Sequence, residues 1–175
     1  MKTSMKHLVL AALMGALTFL GSFLAIPVGP VPITLQTLFV LLAGLLLPPK
    51  EAALAMVVHL VLKLFGGGGP AIWMTPSFGF VLAFIVAALV LSVFRKKNAG
   101  FGNLLVWALI GSVILYAIGI PYMAYFLNGI MGKQYTFMKI LEMGMLLFIP
   151  GDILKSVLAA WLAKRLMPAY RKYFG

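Results

Sequence analysis

Asp152 and Lys155 stand three residues apart in a stretch, Leu141 to Leu162 (LEMGMLLFIPGDILKSVLAAWL), that is otherwise almost wholly apolar. Residues at i and i+3 share one helix face, so this spacing sets a carboxylate beside an ammonium. An ionised side chain at the centre of a bilayer costs on the order of 3 kcal/mol even on the lenient insertion scale, and it normally faces a partner or a cavity. Such a pair can stitch two helices together, or it can offer an acceptor and a donor to a polar ligand. The second reading makes Asp152 and Lys155 candidate binding residues. Pro150-Gly151, just ahead of them, frees backbone groups and allows a local bend.

Other polar pairs are weaker signals. His59 and Lys63, four residues apart in another apolar stretch, read as a polar helix contact or as a lysine snorkelling to the surface. Lys139 and Glu142 read as a surface pair. No GxxxxGK[ST] phosphate loop, HExxH, GxSxG or multi-carboxylate cluster occurs. With 3 acidic residues in all, an ion-coupled carrier has few groups to work with, and no second carboxylate or nucleophile supports Asp152 as a general acid or base. Cysteine is absent, which removes disulfides and thiolate metal sites. Neither an enzyme nor a metal or cofactor site is expected.

The elements that position the pair follow from composition. The 175 residues are 63% hydrophobic and 10% charged, against about 25% charged in a soluble domain. The chain reads as an all-α integral membrane protein, one domain over 1–175. No charge interrupts Leu8–Pro49, long enough for two spans of about 20 residues each, and Ile26–Pro32 (IPVGPVP) breaks it. Six transmembrane helices are expected, at about 8–26, 33–47, 51–65, 77–94, 103–127 and 141–166. The third, at 15 residues or roughly 22 Å, falls short of a ~30 Å hydrocarbon core.

With both termini inside, the inner side receives Lys2, Lys6, Lys50, Arg95, Lys96, Lys97, Lys164, Arg165, Arg171 and Lys172, and the outer side Lys133 and Lys139. Ten against two assigns N-in/C-in by the positive-inside rule. It also accounts for the net charge of +11 through the lipid bilayer, with no nucleic acid as partner. Lys2 and Lys6 precede an apolar run too long for a cleavable signal, so the first span is expected to stay uncleaved.

Two outer connections, 27–32 and 66–77, are uncharged and rich in Pro and Gly. Because the third span is short, part of the glycine-rich loop between helices 3 and 4 is expected at membrane depth, where irregular backbone survives only if buried or lining a cavity. Its Gly67 and Gly68 can bring backbone close to a ligand, and Trp73 can cover a flat ligand ring. Lys155 and Asp152 lie nine and twelve residues before Lys164, about 14 and 18 Å from the inner boundary at helical rise. Side chains lean towards the helix N-terminus, so Lys155 should reach up beside Asp152 into an outward-opening pocket. In the first span Ala12 and Ala16 form a small-residue stripe that lets another helix approach closely, either inside the bundle or from a partner.

Three segments resemble the BioY family, the biotin-specific substrate-binding (S) components of energy-coupling factor (ECF) transporters. They are Gly29–Gly44 (GPVPITLQTLFVLLAG), which holds Gln36; the glycine run followed by Thr75–Phe80 (TPSFGF); and Pro150–Lys155 (PGDILK). They fall in order, and the resemblance covers nearly the whole chain. Here Phe78 replaces a glycine common in the second segment, and the glycine run offers only backbone groups where some members carry a polar residue.

The resemblance implies a multi-pass protein of a bacterial or archaeal cell membrane. It would capture biotin from outside and deliver it through a transmembrane coupling subunit and two ATPase subunits, the energy being theirs. By the same resemblance Ala12 and Ala16 become an interface with the coupling subunit, and Gln36, Gly67, Gly68, Trp73, Phe78, Asp152 and Lys155 become the substrate-binding set. Asp152 can accept from a ureido N–H, and Lys155 can donate to the ureido carbonyl or pair with the carboxylate. An S component for another vitamin, such as riboflavin or thiamine, and an autonomous secondary carrier are the alternatives.

Overall fold

The computed structural model describes residues 5–66, 70–96 and 99–174. Gly67 and Gly68, with Lys2 and Lys97, lie outside the described residues. Within them the chain is a bundle of helices with one short hairpin.

Helix α1 (Met5–Leu20) packs along α3 (Pro49–Gly66). Gly15 makes the approach possible: a Cβ there would stand 2.5 Å from the Ala55 carbonyl oxygen and 2.8 Å from Val58 Cβ. The small-residue stripe therefore divides between two faces. Ala11 and Gly15 are buried, whereas Ala12 is exposed and Ala16 half-buried.

α1 stops at Leu20, not at residue 26 as expected. Gly21 sits tightly over Leu35 and Gln36, and the Ser22 hydroxyl donates to the Phe19 carbonyl (2.6 Å), closing the helix with a turn. The proline-rich break that follows holds a hairpin of β1 (Ala25–Ile26) and β2 (Ile33–Thr34). The strands are antiparallel, Ala25 opposite Thr34 and Ile26 opposite Ile33.

α2 (Gln36–Leu46) is the centre of the bundle. It touches α1, α3, α4 (Phe78–Phe94), α5 (Phe101–Ala124) and α7 (Ile149–Phe174), and every residue from Val40 to Leu46 is buried. An apolar helix with no polar face must be enclosed on all sides by protein or lipid. Its C-terminal carbonyls need partners. Arg95 Nη2 donates to the Leu46 and Leu47 oxygens at 3.0 and 3.3 Å, and Ser92 Oγ donates to Leu47 O at 2.5 Å.

The third helix is three residues longer than the expected 15. α3 begins at Pro49, with Ala52 N donating to Pro48 O (2.8 Å), because a proline costs nothing in the first helical turn. Its 18 residues extend about 27 Å. The short apolar helix is α2, 11 residues or about 17 Å. The non-helical backbone accompanying a short helix is thus the hairpin ahead of α2, and the loop after α3 winds into a 3-10 helix at Pro70–Met74.

α5 continues through Pro121 into a π-helical turn, Tyr125–Ile130. The expected sixth span is α6 (Phe137–Leu141), a π turn (Glu142–Leu146) and α7 together. Lys139 Nζ and Glu142 Oε2 pair at 2.9 Å on its exposed side. α7 runs on through Pro168 to Phe174, eight residues past the expected end at 166. There Tyr170 and Phe174 stack on each other and on His7 of α1, and His7 Nε2 lies 2.8 Å from the Phe174 carbonyl. Among the described residues, two continuous helical stretches are long and apolar enough to cross a membrane, Phe101–Ile130 and Phe137–Phe174.

Candidate functional site: a charged pair in an apolar cavity

Asp152 sits in the first turn of α7, and Lys155 one turn further on the same face. Pro150 occupies the same first turn, where its missing N–H removes no helical bond. Lys155 Nζ stands 2.5 Å from Asp152 Oδ1, as the spacing predicts, and the two residues are 6% and 7% exposed. Burial of opposite charges is tolerable only when further hydrogen bonds satisfy both. Tyr116 of α5 donates its hydroxyl proton to Asp152 Oδ2 at 2.5 Å, and Lys155 donates to the Thr34 carbonyl of β2 at 3.1 Å. Two helices and the hairpin thus converge on one pair.

A second polar group adjoins the first. The Gln36 amide nitrogen lies 2.7 Å from His59 Nε2 on α3, and Thr34 Oγ1 donates to Gln36 Oε1 at 3.1 Å. Thr34 Oγ1 also accepts from the Gln36 backbone N–H at 3.3 Å. His59 is fully buried, and its ring tilts against Phe84 with centroids 5.5 Å apart. Thr34 joins the two groups, its carbonyl holding Lys155 and its hydroxyl holding Gln36.

Thr34, Gln36, Tyr116, Asp152 and Lys155 line a cavity of about 90 Å³, with His59 behind Gln36. Ser22, Thr34, Gln36, Thr37, Lys63, Ser77, Tyr116, Asp152 and Lys155 supply its polar wall, and Val31, Pro32, Phe80, Val81, Phe84, Leu115 and Phe148 its apolar wall. A mostly apolar enclosure with a few convergent polar groups is the usual form of a small-molecule site. The hairpin covers it from one side, with Val31 packed among Ile120, Met123, Leu127, Ile140 and Phe148.

Three of the candidate residues, Gln36, Asp152 and Lys155, are brought to this cavity. Trp73 and Phe78 are not in its wall. Trp73 is 51% exposed, and its carbonyl accepts from the Tyr122 hydroxyl. Phe78 meets Tyr122 edge-on, centroids 5.9 Å apart. The reason is helical phase: Ser77, Phe80, Val81 and Phe84 share the inward face of α4, and Phe78 falls off it.

Sequence reasoning missed Tyr116, Thr34 and the contact of His59 with Gln36. For Tyr116 a signal existed. Ser112 and Tyr116 stand four apart in the middle of the mostly apolar α5, and both reach α7, Ser112 Oγ lying 3.3 Å from Ser156 Oγ. Lys63, read as a helix contact or a snorkelling lysine, is half-buried in the cavity wall.

The chain has counterparts of similar sequence and fold. Residues 1–172 match the family model described as the BioY family. A biotin transporter BioY from Rhizobium etli is 36% identical over 186 residues, covering 95% of this chain and 96% of its own. One from Thermotoga maritima is 31% identical over 169 residues, covering 93% and 96%. The solved S-component for biotin from an ECF-type ABC transporter superposes with a TM-score of 0.81 at 30% identity, covering 97% of this chain and 93% of that one. A family match over nearly the full length, with the same fold, leaves one assignment: this membrane protein belongs to the BioY family.

Proposed function

We propose that the chain is the substrate-binding membrane subunit of an ATP-driven ECF transporter and that it captures biotin from outside the cell. The observation that carries this reading is the buried Asp152–Lys155 pair, braced by Tyr116 and Thr34 within an apolar cavity. Biotin presents two ureido N–H donors, a ureido carbonyl, an apolar thioether ring and a carboxylate tail. A carboxylate flanked by an ammonium matches the ureido edge, and the phenylalanine-rich wall matches the ring.

The proposed topology is six spans with both termini inside, in a multi-pass protein of the cell membrane. Ala12 and Ala16, on the outward face of α1, are proposed to meet a transmembrane coupling subunit that works with two ATPase subunits. The cavity of about 90 Å³ is smaller than the ~300–1,000 Å³ of typical ligand pockets. Biotin would therefore be admitted by outward displacement of the hairpin and the Pro70–Met74 turn, which then close over it.

The test is calorimetric titration of the purified, folded protein in detergent with biotin, riboflavin and thiamine. Saturable binding of biotin alone is expected. Tight binding of one of the other vitamins instead would replace the substrate. Ion-driven uptake of biotin into vesicles containing this chain alone would replace the ATP-coupled mechanism.

A further inference from the structure

The charges in the cavity wall do not cancel. Among the described residues it holds three formal charges: Lys63 on α3, and Lys155 with Asp152 on α7. Asp152 and Lys155 neutralise each other at 2.5 Å. The other carboxylates are elsewhere, Glu142 paired with Lys139 on an exposed face and Glu51 at the opposite end of α3, twelve residues before Lys63. No ion pair engages Lys63 among the described residues. The wall is thus one positive charge in excess, and that charge is set on a different helix from the pair.

We infer that Lys63 is the carboxylate-binding residue of the site. A monoanionic ligand with a neutral polar head then lies across the cavity, its head on Asp152, Lys155 and Tyr116 and its carboxylate at α3. This rests on the proposed biotin reading and deepens it by assigning the two ends of the ligand.

Three features support the assignment. The charge of Lys155 is already compensated by Asp152 Oδ1 at 2.5 Å, so it is poorly placed to neutralise a further carboxylate. Lys63 lies in the last turn of α3, where an ammonium on a flexible stem can follow a flexible tail. Lys63 is also half-buried, so its attraction to a carboxylate is less screened than that of a surface pair.

The experiment compares two ligands that differ only in tail charge, biotin and biotin methyl ester, on the parent protein and on Lys63→Met, Lys63→Arg and Lys155→Met. Loss of a charge-assisted hydrogen bond predicts that Lys63→Met binds biotin about 10- to 100-fold more weakly. Its affinity for the ester should stay within about twofold of the parent, and Lys63→Arg should restore the preference for the acid. Lys155→Met should weaken both ligands alike. Equal weakening of acid and ester by Lys63→Met, or no change in either, overturns the assignment, as does acid-selective loss in Lys155→Met. Failure of the folded parent to bind either ligand refutes the biotin reading itself and the assignment with it.

Discussion

Replacing Asp152 by Asn separates what the buried pair does for the fold from what it does for the ligand. At 2.5 Å the attraction between the two charges is about 7 kcal/mol for an effective dielectric of ~20. The net loss is smaller, because desolvating the pair already offset part of that gain. Removing one partner of a buried pair costs about 3–5 kcal/mol, since it strands the other charge. Asn keeps the side-chain oxygen that accepts from Tyr116, so the change isolates charge from shape. Lys155 would be left with only the Thr34 carbonyl. For a chain of this size that predicts a fall in the unfolding midpoint of about 10 °C.

The double variant Asp152→Asn with Lys155→Met strands no charge, and it should recover most of the lost stability. Biotin affinity should not recover with it, staying about 10- to 100-fold below the parent. Thermal unfolding without ligand and calorimetric titration, run on all four proteins of the cycle, give both readouts. Additive stability losses in the double variant would refute the pairing argument. Parental affinity in the double variant would refute the site.

The remaining predictions concern the two faces of α1 and the topology. Ala12→Trp and Ala16→Trp should leave biotin binding by the isolated chain intact and abolish ATP-driven uptake in the assembled transporter, while Gly15→Ala should lower the unfolding midpoint because its Cβ meets the Ala55 carbonyl oxygen at 2.5 Å. Normal uptake by both tryptophan variants, or an unchanged midpoint in Gly15→Ala, would contradict the division of α1 into two faces. Since the chain has no cysteine, single cysteines report topology cleanly: Lys133→Cys should react with a membrane-impermeant maleimide in intact cells, and Lys172→Cys only after permeabilisation. The reverse pattern would invert the orientation.

The features legible in the sequence were those written locally. Asp152 and Lys155 lie within one turn, so their contact followed from helical geometry, and the apolar runs located the helices to within a few residues at most ends. The hairpin was not legible, because Ile26–Pro32 reads as a break whether or not its flanks pair. The π turns at Tyr125–Ile130 and Glu142–Leu146 left no compositional trace, since a one-residue shift in bonding needs no special side chain. The third span was set two residues late: Pro49 and Lys50 fall outside the expected 51–65, yet they begin α3. Tyr116 and His59 were lost for a different reason: their partners stand 36 and 23 residues away, and only the packed bundle brings them together.

Thr34 gives the hairpin a property that its two-residue strands alone would not have. The carbonyl that Lys155 holds belongs to the strand proposed to swing out as biotin enters. Breaking a hydrogen bond to a charged group costs about 1.5–3 kcal/mol, which biases the closed arrangement roughly 10- to 150-fold at equilibrium. A ligand oxygen placed on Lys155 takes over the bond that Thr34 gives up. On that proposal the substrate would compete with the latch for the same ammonium, and a molecule without a suitably placed acceptor would gain nothing by holding the hairpin open. Selectivity would then be exercised at the door as well as in the room behind it.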